Sequence, residues 1–204
     1  MKLFLASTFS DSALSFNQLV PRSIQTVSFI ANAADPWYGK NTEWVEKDYN
    51  AFNELGFNIN KLDLCKSNLN SIIASSQLIH ICGGSAIYLL DLLKKSGYDK
   101  VIIKSIRDGT FYTSTSAGSM IMAPDISFCS DDEDEQEVNM VNTVSNLTGL
   151  ELVPFYMMCH VQDPYYITST KKSIDRLPDN KLPILFLRDG QAVYIEDDKF
   201  KIIQ

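Results

Sequence analysis

Hydrophobic and polar residues along the chain alternate between short apolar runs, typical of β-strands, and longer segments with apolar residues at helical spacing. Two helices are predicted from such spacing. Residues 43–55 carry Val45, Tyr49 and Phe52 on one face and stop at Gly56, and residues 86–96 carry Leu89, Leu92 and Leu93 and stop at Gly97. The predicted strands are residues 2–7, 26–31, 58–64, 78–82, 110–115, 152–159, 184–187, 192–195 and 200–203.

Repeated strand, helix, strand units imply a mainly parallel sheet that is covered by helices. We find no internal repeat and no linker, and 204 residues are enough to bury one large core. The pattern therefore predicts an α/β protein with one domain over residues 1–204.

Composition excludes several classes of function. The formal net charge of −7 comes without a basic cluster, which argues against nucleic acid as a partner. No apolar run approaches the roughly 20 residues of a membrane span, and residues 1–7 are predicted as a strand rather than a signal peptide. Four cysteines without a Cys-x-x-Cys pair indicate reduced thiols, so we expect a cytoplasmic protein without a metal or other cofactor.

The segment Thr115-Ser116-Ala117-Gly118-Ser119 lies between a β-favouring run and a short apolar segment, which predicts a sharp strand-turn-helix corner. A serine in such a corner projects its hydroxyl away from the sheet, and small neighbours let a substrate approach. We interpret Ser116 as a candidate nucleophile, with an ordinary Ser-Ala-Gly-Ser turn as the alternative.

A glycine pair follows another apolar strand at Cys82-Gly83-Gly84-Ser85. Ligands of parallel sheets collect at the carboxyl ends of the strands, so this turn is expected near Ser116. The backbone N–H groups of Gly84 and Ala117 could then hold an oxyanion. The alternative is a tight turn in which Ser85 only caps the next helix.

The chain has two histidines, which restricts the choice of a general base. His80 lies inside an apolar strand and is predicted to be a hydrogen-bonded core residue. His160 is followed by a polar turn at the end of an apolar run, where catalytic residues collect. Cys159 and His160 are adjacent and would point to opposite faces of a strand, so they do not predict a Cys–His dyad.

A carboxylate usually orients the imidazole of such a base. Asp189, before Gly190 at the end of a later strand, would give the order Ser, His, Asp, whereas Asp131 or Asp132 in an acidic loop would give Ser, Asp, His. The spacing leaves both orders open.

Taken together, these segments resemble the dipeptidase E (aspartyl dipeptidase) group of the S51 serine peptidases, in the same order along nearly the whole chain. The matching segments are Lys2-Leu3-Phe4-Leu5-Ala6-Ser7, Ile30-Ala31-Asn32-Ala33-Ala34-Asp35-Pro36, Trp44-Val45-Glu46, Glu54-Leu55-Gly56-Phe57, Gly83-Gly84 with Tyr88-Leu89-Leu90, Ser116-Ala117-Gly118-Ser119, Pro124-Asp125-Ile126, Gly149-Leu150 with Leu152-Val153 and Phe155 before His160, and Asp189-Gly190.

The resemblance implies a flavodoxin-like three-layer α/β/α sandwich of the class I glutamine amidotransferase-like type. It implies Ser116 as nucleophile, His160 as base, and Asp189 as the triad acid with Asp131 as second choice. Gly84 and Ala117 would form the oxyanion hole, and Ser85 would contact the substrate. The expected partner is a small peptide with an N-terminal acidic residue, met by a cation such as Arg188 or Lys171, and a homodimer is an allowed assembly.

The chain departs from the family pattern at several positions near this site. Ser114 stands where the family has glycine, Cys82 stands for a third glycine in the turn, Ser85-Ala86 stands for Asn-Thr, and Cys159 stands for proline. Two alternatives therefore stay open beside an acidic-dipeptide peptidase. One is a binding module that has lost catalysis, and the other is a hydrolase of a cyanophycin-like β-aspartyl peptide or a small ester.

Overall fold

A seven-stranded sheet lies at the centre of the computed structural model, which describes residues 1–37, 41–129, 144 and 146–204. Its strand order is β3-β2-β4-β5-β1-β8-β9, with β6 and β7 forming a separate parallel pair. The first five strands of that order run parallel, β8 pairs antiparallel with β1, and β9 pairs antiparallel with β8. The strands are β1 (Lys2–Ala6), β2 (Thr26–Ile30), β3 (Asn58–Leu62), β4 (Leu78–Ile81), β5 (Phe111–Thr115), β6 (Tyr156–Met158), β7 (Ile184–Phe186), β8 (Ala192–Glu196) and β9 (Lys199–Ile203).

Helices cover both faces of this sheet. They are α1 (Phe9–Asn17), α2 (Glu43–Glu54), α3 (Asn70–Ser75), α4 (Ala86–Ser96), α5 (Tyr98–Arg107), α6 (Ala117–Met120) and α7 (Pro164–Arg176), with 3-10 turns at Asn32–Trp37 and Ser127–Cys129. Helix α4 ends where predicted, because Gly97 takes the left-handed conformation (φ 75°) that closes a helix.

The two faces of the sheet bury separate cores, which follows from side-chain alternation along each strand. In β1, Leu3 and Leu5 pack with the residues of α3, α4 and α5, whereas Phe4 and Ala6 pack with those of α1 and α2. The result is a three-layer α/β/α sandwich of the flavodoxin-like type, as the sequence predicts.

One predicted strand is wrong over most of its length. Only Tyr156–Met158 of residues 152–159 forms a strand. The preceding residues instead fold against the turn after α6, where the N–H groups of Leu150 and Leu152 donate to the carbonyls of Ile121 and Met122. Pro154, which has no N–H to give to a ladder, also disfavours a strand there.

The carboxyl ends of β4, β5 and β1 lie side by side because these strands are neighbours in the parallel sheet. The loop after β6 joins this edge through a hydrogen bond from the His160 N–H to Ser7 Oγ (2.9 Å). The edge therefore gathers the ends of four strands. Among the described residues, no helix is both long and apolar enough to cross a bilayer.

Candidate active site

Ser116 occupies a strained corner between β5 and α6, with φ 46° and ψ −104°. Its N–H donates to the Ala6 carbonyl (3.0 Å), which fixes the corner to the end of β1. A non-glycine residue at positive φ stores strain that persists only where the surroundings impose it, and such residues cluster at functional sites. The predicted strand-turn-helix corner is therefore present around Ser116.

Serine replaces the family's glycine at position 114 without leaving a buried hydroxyl unpaired. Ser114 Oγ lies 2.7 Å from Ser119 Oγ, and Ser119 Oγ donates to the Ala6 carbonyl (2.8 Å). Gly118 stays necessary, because a Cβ there would lie 2.5 Å from the Ile81 carbonyl oxygen. The corner thus tolerates the substitution by hydrogen bonding across it.

The glycine turn after β4 requires Gly84, which has φ 141° and whose added Cβ would lie 2.2 Å from the Ala33 carbonyl oxygen. Trp44 Nε1 donates to the Gly83 carbonyl (3.1 Å). Because a trans peptide points its C=O and N–H in opposite directions, this bond turns the Gly84 N–H away from Trp44. Neither that N–H nor the Ala117 N–H at the start of α6 donates a hydrogen bond to any described residue.

Ser85 has a structural position in this turn. Its side chain caps α4 by accepting from the Tyr88 N–H (3.1 Å), and the residue is 1% exposed. It is also not among the residues that line the adjoining cavity. A contact between Ser85 and a substrate stays a prediction, and the capping interpretation accounts for the geometry.

His160 and Asp189 form a hydrogen-bonded pair, with 2.6 Å between His160 Nδ1 and Asp189 Oδ1. Two hydroxyls from the end of β1 donate to the same carboxylate oxygen, Thr8 at 2.7 Å and Ser7 at 3.0 Å. Partial burial acts to raise the pKa of Asp189. The hydrogen bond from Thr8, the charge and hydrogen bond of His160 and the Ser7 bond outweigh it, so the pKa lies below its usual value.

The backbone around His160 fixes its ring. The residue has φ 58°, and its imidazole stacks on Tyr166 with 4.9 Å between ring centroids. Because Nδ1 faces Asp189, Nε2 is the nitrogen left for chemistry, and it makes no hydrogen bond with any described residue.

Ser116, His160, Asp189 and Gly84 all line one cavity of about 650 Å³. No hydrogen bond joins Ser116 Oγ to the His160 ring within the described part of the chain. The structure thus places the predicted nucleophile and base in the lining of one cavity, without a hydrogen bond between them.

The cavity also has an aromatic and a charged component. Trp37 and Trp44 pack edge to face on one side (6.3 Å between centroids), and Tyr165 and Tyr166 contribute from α7. Lys47 is the one cation that the described lining contains. Arg188 and Lys171, the cations predicted to meet an acidic substrate, do not line the cavity.

Two other predictions concern Asp131 and Cys159. Asp131, the second choice for the acid, lies outside the described residues. Cys159 is buried, and burial with the nearby Asp189 charge raises the pKa of its thiol to about 12, in spite of a hydrogen bond with Ser7. A protonated thiol is a poor nucleophile, so Cys159 does not form a thiolate pair with His160.

A further cluster lies beneath the corner. Asp48, His80 and Cys82 are buried and hold their possible metal-ligating atoms within 4.8 Å of one another. The Asp48 carboxylate already accepts hydrogen bonds from Ser10 N–H (3.1 Å) and Thr115 Oγ1 (2.6 Å) and lies 3.2 Å from His80 Nε2. A metal would have to displace these contacts, so hydrogen bonding fits this donor set better.

The fold and site define a class: a flavodoxin-like α/β protein in which a serine at a strand-turn-helix corner and a histidine–aspartate pair line one cavity. A scan of family models matches Peptidase family S51 over residues 4–203, and the chain belongs to that family.

The similar proteins agree with that assignment. An uncharacterized peptidase of Pasteurella multocida is 30% identical over 100% of this chain and 97% of its own length. Peptidase E of Streptomyces coelicolor is 31% identical over 59% of this chain and 49% of its own. A crystal structure of a Listeria monocytogenes protein, provisionally assigned as a peptidase E, superposes with a TM-score of 0.87 at 25% identity and covers 100% and 98% of the two chains.

Sequence reasoning missed the residues that hold the pair in place. Ser7 and Thr8 directly follow β1, a neighbour of β5, so the rule that ligands gather at strand carboxyl ends could have found them. Trp44, Lys47 and Asp48 come from the predicted helix α2, and no local signal shows that its first turns reach the cavity.

Proposed function

We propose that this protein is a serine exopeptidase that hydrolyses short peptides through an acyl-enzyme, with Ser116 as nucleophile, His160 as general base and Asp189 as the orienting acid. The observation that carries the proposal is the 2.6 Å bond between His160 Nδ1 and Asp189, on the wall of the cavity that contains the Ser116 corner. Membership of a peptidase family supports the reaction class.

The reaction follows from the roles of these groups. His160 Nε2 takes the Ser116 hydroxyl proton as Oγ attacks the scissile carbonyl, and it returns that proton to the leaving amine. Water then repeats the sequence on the acyl-enzyme, with His160 again as base. Asp189 holds the Nδ1–H tautomer and stabilises the imidazolium, while the Gly84 and Ala117 N–H groups receive the oxyanion.

The cavity is suited to a short peptide. Its volume of about 650 Å³ falls within the roughly 300–1,000 Å³ common for small-ligand sites. For a substrate with an N-terminal acidic residue, Lys47 is the described cation that could pair with the substrate carboxylate. We therefore propose dipeptides such as Asp-Leu as substrates, with Lys47 in the role predicted for Arg188 or Lys171.

The test compares wild type, Ser116→Ala and Lys47→Met on Asp-Leu, Lys-Leu, Leu-Leu, a β-aspartyl dipeptide and a small ester. We expect wild type to hydrolyse Asp-Leu in preference to Leu-Leu and Ser116→Ala to hydrolyse neither peptide. Lys47→Met should keep activity and lose the preference for Asp-Leu over Leu-Leu. Equal activity of wild type and Ser116→Ala would contradict the assignment of Ser116 as the nucleophile. A preference for the β-aspartyl peptide or the ester would contradict the proposed substrate class, while the proposal that the protein is a hydrolase would stand.

A binding module is the second candidate, favoured by the missing hydrogen bond between Ser116 and His160. A fluorophosphonate probe separates the two candidates. Stoichiometric labelling that disappears in Ser116→Ala and persists in Ser169→Ala, a serine on the same cavity wall, supports the enzyme. Folded wild-type protein that takes up no label supports the binding module.

A further inference from the structure

Asp48 is a buried carboxylate that the proposed reaction does not use. It lies in α2, is 1% exposed, and contacts three other elements of the fold. The Ser10 N–H of α1 donates to Oδ1 (3.1 Å), the Thr115 hydroxyl of β5 donates to Oδ2 (2.6 Å), and His80 Nε2 of β4 lies 3.2 Å from Oδ2. One carboxylate thus fastens α1, α2, β4 and β5 together directly below the corner.

His80 holds Asp48 from the core side. Its ring is fully buried among Phe9, Phe29 and Phe52, with centroid distances of 4.8, 5.2 and 5.0 Å. Its second nitrogen, Nδ1, has no hydrogen-bond partner among the described residues. His80 therefore meets Asp48 from the core with Nε2 alone and serves as a fixed partner for it.

Thr115 links Asp48 to the catalytic pair. Its hydroxyl accepts from the Phe9 N–H (3.0 Å) while it donates to Asp48, and Thr115 immediately precedes Ser116. Phe9 in turn follows Thr8, whose hydroxyl donates to Asp189. A continuous set of hydrogen bonds and peptide units therefore runs from Asp48 to both the Ser116 corner and the His160–Asp189 pair.

We propose that Asp48 is a positioning residue, which acts through Thr115 to hold the Ser116 corner and the Thr8–Asp189–His160 contacts in fixed relative positions. The inference rests on the proposed function, because the relative position of nucleophile and base matters only if both react. In a buried network a single hydrogen bond restricts the positions of several groups at once. A change far from the chemistry that displaces a reacting group by about 1 Å can cost roughly 100-fold in rate.

A role in stability alone would give a different pattern. If Asp48 only stabilised the fold, variants of its contacts would lower the unfolding free energy and leave folded molecules with unchanged kcat and an unchanged His160 environment. Positioning predicts a lower kcat at similar KM, together with altered signals from the His160 ring.

The experiment uses three variants of β5. Thr115→Val removes the hydroxyl that bridges Asp48 and Phe9, and Thr115→Ser keeps it. Thr113→Val is the matched control, because Thr113 is fully buried on the same strand and its hydroxyl has no hydrogen-bond partner within the described part of the chain. Asp48→Asn is the fourth variant and changes the carboxylate itself.

We expect Thr115→Val to lower kcat by roughly 10- to 100-fold with KM within about twofold. Thr115→Ser should restore most of the rate, and Thr113→Val should resemble wild type. A second measurement does not depend on turnover. Proton and nitrogen NMR should detect the two histidine rings, and His80→Gln assigns the signals to one ring or the other. The signal of the hydrogen-bonded His160 Nδ1–H should be shifted or lost in Thr115→Val and Asp48→Asn. The signal should stay in place in Thr113→Val.

Unchanged His160 signals in folded Thr115→Val, or an equal effect of Thr113→Val, would overturn the positioning role. If Asp48→Asn fails to fold, the two Thr115 variants decide the question alone. A wild type that takes up no probe and hydrolyses no peptide overturns the proposed function, while the NMR comparison still decides whether Asp48 positions the pair.

Discussion

The molecule contains two histidine–aspartate pairs that differ in almost everything except their composition. In His80–Asp48 the side chains are 0% and 1% exposed, and the histidine presents Nε2 to the carboxylate at 3.2 Å. In His160–Asp189 the side chains are 18% and 31% exposed, and the histidine presents Nδ1 at 2.6 Å. The first pair contacts Thr115, which precedes Ser116, and the second lines the cavity that Ser116 also lines.

The choice of ring nitrogen decides what each pair can do. His160 gives Nδ1 to its aspartate, so Nε2 stays available on a cavity wall beside a serine, as a general base requires. His80 gives Nε2 to its aspartate, and its Nδ1 is enclosed in the core, where none of the described residues bonds to it. An imidazole–carboxylate pair therefore indicates catalysis only when its remaining nitrogen can reach a reacting group.

The largest expected effect is on catalysis by His160. His160→Gln should lower kcat/KM for the best dipeptide by about 10⁴-fold or more, because the proton of Ser116 loses its acceptor. His80→Gln should lower it by less than about tenfold, because glutamine keeps an N–H donor for Asp48. Steady-state kinetics on both purified variants tests this, and equal losses would contradict the division of roles.

For the free energy of unfolding, we expect the opposite order: substitution of His80 should have a larger effect than substitution of His160. His80→Ala leaves an aromatic cavity and a buried carboxylate with one partner fewer, so the unfolding free energy should fall by about 3 kcal/mol or more. His160→Ala, at the edge of the cavity, should lower it by less than about 1 kcal/mol. Urea denaturation measures both, and a larger loss in His160→Ala would refute the assignment of His80 to the core.

The third prediction concerns acid. The folded-state pKa of Asp189 lies below its unfolded value of about 3.9, so its ionised form stabilises the fold above that pH. This contribution disappears as the pH falls through the lower folded-state pKa. The stability advantage of wild type over Asp189→Asn should therefore shrink between about pH 6 and pH 3.

Urea denaturation at the two pH values measures the advantage. Asp198→Asn, in the exposed turn between β8 and β9, is the control and should show a smaller change. A constant difference between wild type and Asp189→Asn would show that the Thr8, Ser7 and His160 contacts do not favour the charged carboxylate.

Most of the fold could be predicted from the sequence because its signals are local. Strands β1, β2, β4 and β5 were recognisable as apolar runs, and Gly97 marked the end of α4. The strand predicted over residues 152–159 failed because apolar residues there pack on the turn after α6, and apolar character alone does not distinguish a strand from a buried irregular segment.

The site was predictable where it depends on strand ends and not where it depends on tertiary contacts. Ser116, Gly84 and His160 follow strands, and the structure gathers them around one cavity. The Asp48 contacts depend on α2 packing against β4 and β5, and a single aspartate on a helix carries no sign of such contacts. For the same reason, no local signal distinguishes Lys47, which lines the cavity, from Arg188 and Lys171, which do not.

Substitution of Cys159 should change the reaction rate least. Cys159 adjoins His160 in sequence, so a thiol could in principle replace Ser116 as the reacting group. Its buried thiol, with a pKa of about 12, stays protonated at neutral pH, so Cys159→Ser should keep kcat/KM within about threefold of wild type. Iodoacetamide at pH 8 should likewise leave Cys159 unmodified in the folded protein. A large loss of activity in Cys159→Ser without a matching loss of stability would mean that His160 acts as the base for the Cys159 thiol. The His160–Asp189 pair would then have to be assigned to cysteine chemistry.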